Sequence, residues 1–191
     1  NSKNYPSAKI ERDFLYTASL KRLFKNEETF INNLCNAAKK NNFKLAIRVH
    51  PQEDDLERFS TVMRRHRDVK FFITGKKSVK SLDQVEIEND FFKKYMHQIS
   101  SSRVIIGVAS TTALDAIKRD KPYIFIGFDN VNKFEDGKIK SFYEYEHYKK
   151  LIDLTESEII ESYQQLENSM IKMSEIDNFQ YSKQVKQSYG L

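Results

Sequence analysis

The sequence predicts an α/β fold: a doubly wound parallel sheet of about five or six strands with helices on both faces. Two observations carry this expectation. Short apolar runs alternate with stretches of helical periodicity from Phe14 through the last third of the 191-residue chain. The apolar runs also lack the in–out alternation of a half-exposed sheet, and near-continuous apolar strands are those buried on both faces.

Each element follows in order. "FLYTAS" (Phe14 to Ser19) is a first strand ending in small polar residues. Glu27 to Lys40 has helical spacing, with Phe30, Ile31, Leu34, Cys35 and Ala38 on one face. "KLAIRVHP" is a second strand stopped by Pro51, and Leu56, Phe59, Met63 and His66 mark the next helix. "VKFFITG" is a third strand closed by Gly75, followed by a polar stretch from Lys76 towards Glu88. A helix carrying Phe92, Tyr95, Met96 and Ile99 leads into "RVIIGVAS", the fourth strand. Thr112 to Arg119 is a short helix, and "PYIFIGF" is the fifth strand. Two helices close the chain, Ser141 to Leu151 and Glu156 to about Glu175, the second with a capping box at Thr155 and Glu158.

Composition narrows the function classes. Hydrophobic residues are 39% and charged residues 31%, with fourteen Phe, ten Tyr and no Trp. No apolar run approaches the ~20 residues of a membrane-spanning helix, and "NSKNYPSAK" lacks a signal-peptide core. One cysteine, Cys35, excludes an internal disulfide and fits a cytoplasmic setting; its place on an apolar helix face makes it a core residue. No Cys/His cluster has zinc-ligand spacing, so no metal site is expected. The net charge of +5 favours anions. The basic residues are dispersed, however, and no zinc-finger, RNP or helix-turn-helix pattern supports a nucleic-acid partner.

In a parallel sheet, ligands bind in the crevice beyond the carboxyl ends of the strands. The residues found there are Thr17 and Ser19 after the first strand, and Arg48 and His50 at the second. Lys76 and Lys77 follow the third strand, and Ser110, Thr111 and Thr112 follow the fourth. Hydroxyls, an imidazole and cations suit an anion. A helix opening at Thr111 or Thr112 would aim its unpaired N–H groups and positive dipole end at a phosphate. Ser110 and Thr111 equally suit plain N-capping. His50 has two roles open to it as well. It can donate to a phosphate or act as acid or base, with an ordinary pKa of about 6.5; or it can serve as a turn residue before Pro51. His66 and His97 lack such a position, and His147, in an aromatic-rich segment after the last strand, is left open. Neither G-x-x-x-x-G-K-[ST] nor G-x-G-x-x-G occurs.

"LAIRVHP" followed by "RVIIGVASTTALDAIKRDKPYIFIGFD" resembles the carboxyl-terminal, donor-binding half of GT-B glycosyltransferases. The nearest likeness is to the group of CDP-glycerol glycerophosphotransferases and capsule or surface-polysaccharide transferases. That group carries an "HP" after one strand, a Ser-Ser or Ser-Thr strand end, an acidic helix residue and a "KP" opening the next strand. Here these are His50-Pro51, Ser110-Thr111, Asp115 and Lys121-Pro122. "FYEYEHYKKLIDLTESEIIESYQQL" resembles the closing segment, so the likeness runs from about Phe14 to Leu166. Val108-Ala109 stand where the group has Asp-Tyr, which points to the broader sugar-nucleotide class. UDP-sugar 2-epimerases share the architecture, but Thr111-Thr112 replace their glycine-rich turn.

The resemblance implies a Rossmann-like domain, one half of a GT-B architecture. Residues 1–12 are then a linker or poorly ordered start, 13–177 the nucleotide-donor-binding domain and 178–191 a tail. It also implies that His50, as the catalytic-site histidine, together with Ser110 and Thr111, holds the donor's phosphates. Thr112, Ser19, Arg48 and Lys76 join them by proximity. Asp115 would reach a ribose or support the turn, or act as an ordinary helix-start carboxylate. The nucleotide-activated sugar or polyol would be a substrate, with no cofactor. The further partner expected is an upstream acceptor-binding domain, with peripheral association of the full-length protein at the inner face of a membrane. The rival expectations are an epimerase-like domain and a non-catalytic binding or assembly module.

Overall fold

The computed structural model describes residues 8–73, 90–128, 137–155, 157–176, 180–181 and 187. The first strand, β1 (Arg12–Thr17), leads to helix α1 (Glu27–Lys40), strand β2 (Leu45–Arg48), a 3₁₀ turn (Leu56–Phe59) and α2 (Ser60–Arg65). Then come β3 (Lys70–Phe72), α3 (Phe91–Ser100), β4 (Ser102–Gly107), α4 (Thr112–Ile117) and β5 (Tyr123–Ile126). Helices α5 (Gly137–Phe142) and α6 (Glu146–Thr155), strand β6 (Ile159–Ile160) and α7 (Tyr163–Ser174) complete the order.

The six strands form one sheet in the order β3-β2-β1-β4-β5-β6, with every neighbouring pair parallel. This is the doubly wound Rossmann order, and the chain direction across the sheet reverses between β1 and β4. The central strands are the apolar runs of the sequence: Phe14, Leu15, Tyr16, Val104, Ile105, Ile106 and Phe125 are 0% exposed. Burial on both faces is what removed the alternation from their sequence.

Helix α1 buries Phe30, Ile31, Leu34, Cys35 and Ala38, keeps Glu27 and Glu28 in its first turn and Lys39 and Lys40 in its last, and so follows its dipole. The chain leaves the helix through Asn42, whose φ of 57° is a left-handed conformation that Asn tolerates. Burial pushes the Cys35 thiol up to about 12, so it stays protonated in the core.

The C-terminal third differs from the sequence expectation. The helix expected over Ser141–Leu151 is two helices, α5 and α6, broken where Tyr143 turns inward and its hydroxyl donates to Ile126 O at 2.7 Å. The helix expected from Glu156, with a capping box at Thr155 and Glu158, is likewise corrected, although Glu156 itself lies outside the described residues. Thr155 ends α6, its hydroxyl donating to Leu151 O at 2.7 Å. Ile159 and Ile160 form β6 against Phe125 and Ile126. The true helix start is Ser162, which accepts from Gln165 N. Gly127 permits the strand pair: a Cβ there would sit 2.3 Å from Ile159 Cγ2. Tyr181, in the stretch expected to be a tail, is 9% exposed, and its N–H donates to Asp120 Oδ1 at 2.9 Å.

Candidate functional site

Strand register builds the floor of the crevice. Thr17, the last residue of β1, pairs with Arg48 of β2 on one side and with Gly107 of β4 on the other. Three strand ends therefore stand level at the carboxyl edge, where the sheet order reverses. Gly107 is required by close approach: a Cβ there would lie 2.3 Å from the Tyr123 hydroxyl and 2.6 Å from Thr17 Oγ1.

On the β4 side, the chain leaves Gly107 through Val108 and Ala109 to Ser110, and α4 begins at Thr112. Thr111 occupies the N-cap position but makes no side-chain cap bond, and it is exposed. Of the two roles open to this residue from sequence, capping is unused. The backbone closes the turn itself, with Ala113 N donating to Ser110 O at 3.1 Å. Ser110 Oγ lies 3.5 Å from the Tyr123 hydroxyl.

Tyr95 of α3 ties this turn to β2. Its hydroxyl donates to Asp115 Oδ2 at 2.7 Å and lies 3.4 Å from Thr112 Oγ1. Its ring lies under the Arg48 guanidinium at 4.7 Å, and Phe91 lies 5.2 Å from the same group. Arg48 also donates to Gln98 Oε1 and is buried. Burial lowers the pKa of Arg48, but an arginine stays charged. Arg48, Thr112 and Asp115 thus meet around one tyrosine, whose burial raises its own pKa.

His50 follows β2, and its Nδ1 accepts from Gln52 N at 3.1 Å. The neutral ring then carries its proton on Nε2. Burial lowers the pKa of His50, and the positive charges of Arg48 and Arg22 lower it further. The result is a neutral imidazole with a fixed tautomer, suited to donating a hydrogen bond.

Ser19 is placed differently. It is buried, its N–H donates to Glu27 Oε1 at 2.6 Å, and its carbonyl accepts from Arg58 Nη2 at 2.9 Å. Glu27 is 0% exposed and also accepts from the Tyr16 hydroxyl at 2.7 Å. Arg58 Nη2 pairs with Glu27 Oε2 at 2.8 Å and with Glu53 Oε2 at 2.6 Å. The turn after β1 is therefore closed by a carboxylate of the chain itself. Burial outweighs these donors and pushes the Glu27 carboxyl up to about 7.

Lys76 lies outside the described residues, as do Gly75, Lys77 and Asp129. The other histidines stand apart from this group. His66 is buried against Asn32, and the exposed His97 faces Glu11. Sequence reasoning missed Tyr95, Arg22 and the Glu27–Arg58–Glu53 group. A trace of the last was visible, because Glu27 falls on the same helix stripe as Ile31, Leu34 and Ala38. Among the described residues, no three His, Cys, Asp or Glu side chains group as metal ligands, and no helix is long and apolar enough to cross a membrane.

Two solved structures of the UDP-GlcNAc 2-epimerase of Methanocaldococcus jannaschii are similar to this chain. The complex with UDP-GlcNAc and UDP matches at a TM-score of 0.56 and 11% identity, over 95% of this chain and 44% of that one. The second matches at 0.53 and 12% identity, over 92% and 42%. The likeness is one of fold. The chain is a Rossmann-like, GT-B-like domain, and it spans less than half the length of these structures. No protein-family model matches the sequence, and no curated protein does either.

Proposed function

We propose that this domain binds the diphosphate end of a sugar-nucleotide or nucleotide-polyol donor, as the donor-binding half of a GT-B-type transferase that builds a surface glycan or related polymer. One observation carries the reading: Tyr95 gathers Arg48, Thr112 and Asp115 beside the crevice at the β1/β4 reversal, where the sheet places ligands. His50 Nε2–H and the hydroxyls of Ser110 and Thr111 donate to phosphate oxygens. Arg48, held by Gln98 and two rings, supplies a fixed positive potential, and Arg22 adds to it near His50.

The reaction is a displacement at the anomeric carbon. An acceptor oxygen bonds to that carbon and gives up its proton to a base, while the bond from the carbon to the diphosphate oxygen breaks and its electron pair leaves with the nucleotide. With a CDP-glycerol-like donor the displacement is at phosphorus, as the resemblance of His50-Pro51, Ser110-Thr111 and Lys121-Pro122 implies. Preorganised donors aimed at the departing charge are commonly the largest catalytic contribution. An upstream domain brings the acceptor and the base, with the whole protein acting in the cytoplasm at the inner membrane face.

Calorimetric titration with UDP, CDP and CMP tests this. One nucleotide binds, and His50→Ala weakens it about tenfold through loss of a hydrogen bond to a charged group. Absence of binding by all three at millimolar concentration would instead favour a non-catalytic module. The fold likeness favours a second reading, an epimerase-like domain. Incubation with UDP-GlcNAc, followed by separation of its 2-epimer, distinguishes the two.

A further inference from the structure

Tyr123 opens β5 opposite Ile105, yet its hydroxyl lies at the carboxyl edge, under the space Gly107 leaves. The residue is 4% exposed, and its ring is fixed 4.6 Å from that of Phe125. The hydroxyl donates to Val108 O at 3.0 Å. With its only proton committed there, the Tyr123 oxygen accepts in its remaining contacts. The neighbouring Thr17 hydroxyl donates to Ile106 O at 3.3 Å. In the pair with Tyr123 at 3.5 Å, Ser110 is therefore the donor. Burial pushes the Tyr123 phenol up to about 12, so it remains neutral and keeps this polarity.

Resting on the nucleotide-donor reading above, we infer that Tyr123 is a positioning residue of that site: its buried hydroxyl parks the Ser110 hydroxyl at the β4–α4 turn, from which it is handed to a donor phosphate. The parking bond is weak by construction. Its 3.5 Å compares with the about 2.7–2.8 Å of an ordinary O–H···O bond. A phosphate oxygen offers a charge-assisted bond roughly twice as strong as a neutral one. Ser110 is half-buried, so its hydroxyl is open to a ligand at the turn. The same geometry accounts for Gly107, since any side chain there would displace the parking hydroxyl.

The test uses the whole 191-residue chain and four probes: UDP and CDP, with uridine and cytidine as their phosphate-free counterparts. Tyr123→Phe removes a bond that phosphate binding must break, so it raises affinity for the nucleotide that binds by about twofold, the low end for one hydrogen bond, and leaves nucleoside affinity unchanged. Ser110→Ala lowers affinity for that nucleotide selectively, by about three- to tenfold, and Tyr123→Phe changes nothing further in the Ser110→Ala background. Lowered or unchanged nucleotide affinity in Tyr123→Phe, a gain that persists in the Ser110→Ala background, or an equal change for the nucleoside would each overturn the assignment while leaving the donor reading intact. If the unsubstituted chain binds neither nucleotide, the donor reading fails and this inference fails with it. If Tyr123→Phe does not fold, Ser110→Ala decides: an unchanged ratio of nucleotide to nucleoside affinity overturns the role.

Discussion

The turn after β1 and the turn after β4 lie side by side at the carboxyl edge, yet they use their polar groups in opposite ways. After β1, the Ser19 backbone is bound on both sides by Glu27 and Arg58, and Glu53 completes a buried group of charges. After β4, Thr111 makes no cap bond, Ser110 has a long contact to Tyr123, and Thr112 a long one to Tyr95. The first turn carries its own anion and is structural. The second keeps its hydroxyls weakly committed, which is the condition for exchanging them with a ligand at low cost. The strand end proposed as the site is thus the one whose donors the fold leaves weakly committed.

The largest test of this contrast is Arg58→Ala. It strands Glu27 and Glu53 at 0% and 1% side-chain exposure, and removing one partner of a buried pair costs about 3–5 kcal/mol. Urea unfolding measures this, and a loss below about 1 kcal/mol, the value of a surface pair, would erase the distinction between the turns.

Next is the pH dependence of Glu27. Its folded pKa of about 7 lies above its ordinary 4.5, so the folded state binds the proton more tightly. Its contribution is fully present below 4.5 and is lost as pH rises through 7. Glu27→Gln should therefore flatten the decline in stability between those values. Parallel stability–pH curves for variant and parent would refute the assignment.

Tyr95→Phe is milder. It keeps the ring under Arg48 but leaves Asp115 without its donor, costing about 1 kcal/mol of stability. Nucleotide affinity should fall with it, and a stability loss with unchanged affinity would make Tyr95 purely structural. Smallest is Thr111→Ala, expected within about 0.5 kcal/mol of the parent because its hydroxyl caps nothing. A loss of about 1 kcal/mol, the usual value of a cap, would return Thr111 to the structural class.

Much of the fold was legible because strands buried on both faces leave unbroken apolar runs, as in Val104–Ile106 and Tyr123–Ile126. β6 was not. Ile159 and Ile160 are spaced with Tyr163 and Leu166 as a helix face would be, and only pairing with β5 makes them a strand. Among the candidate site residues, His50 and Ser110 to Thr112 could be named because they follow strands, and Asp115 only through the family resemblance. Tyr95 could not, since its spacing with Met96 and Ile99 looks like core. Arg58 and Glu27 could not either, since a carboxylate at a helix start is ordinarily solvated.

The sequence by itself determined the strands β1 to β5 and the helices between them, and hence that the ends of β1, β2 and β4 gather on one edge. Those properties follow from hydrophobic periodicity, which is local along the chain. Only the tertiary structure decided which polar groups at that edge are consumed and which are available. Hydrogen bonding and charge pairing depend on distances through space, between residues as separated as Arg48 and Tyr95 or Glu27 and Arg58.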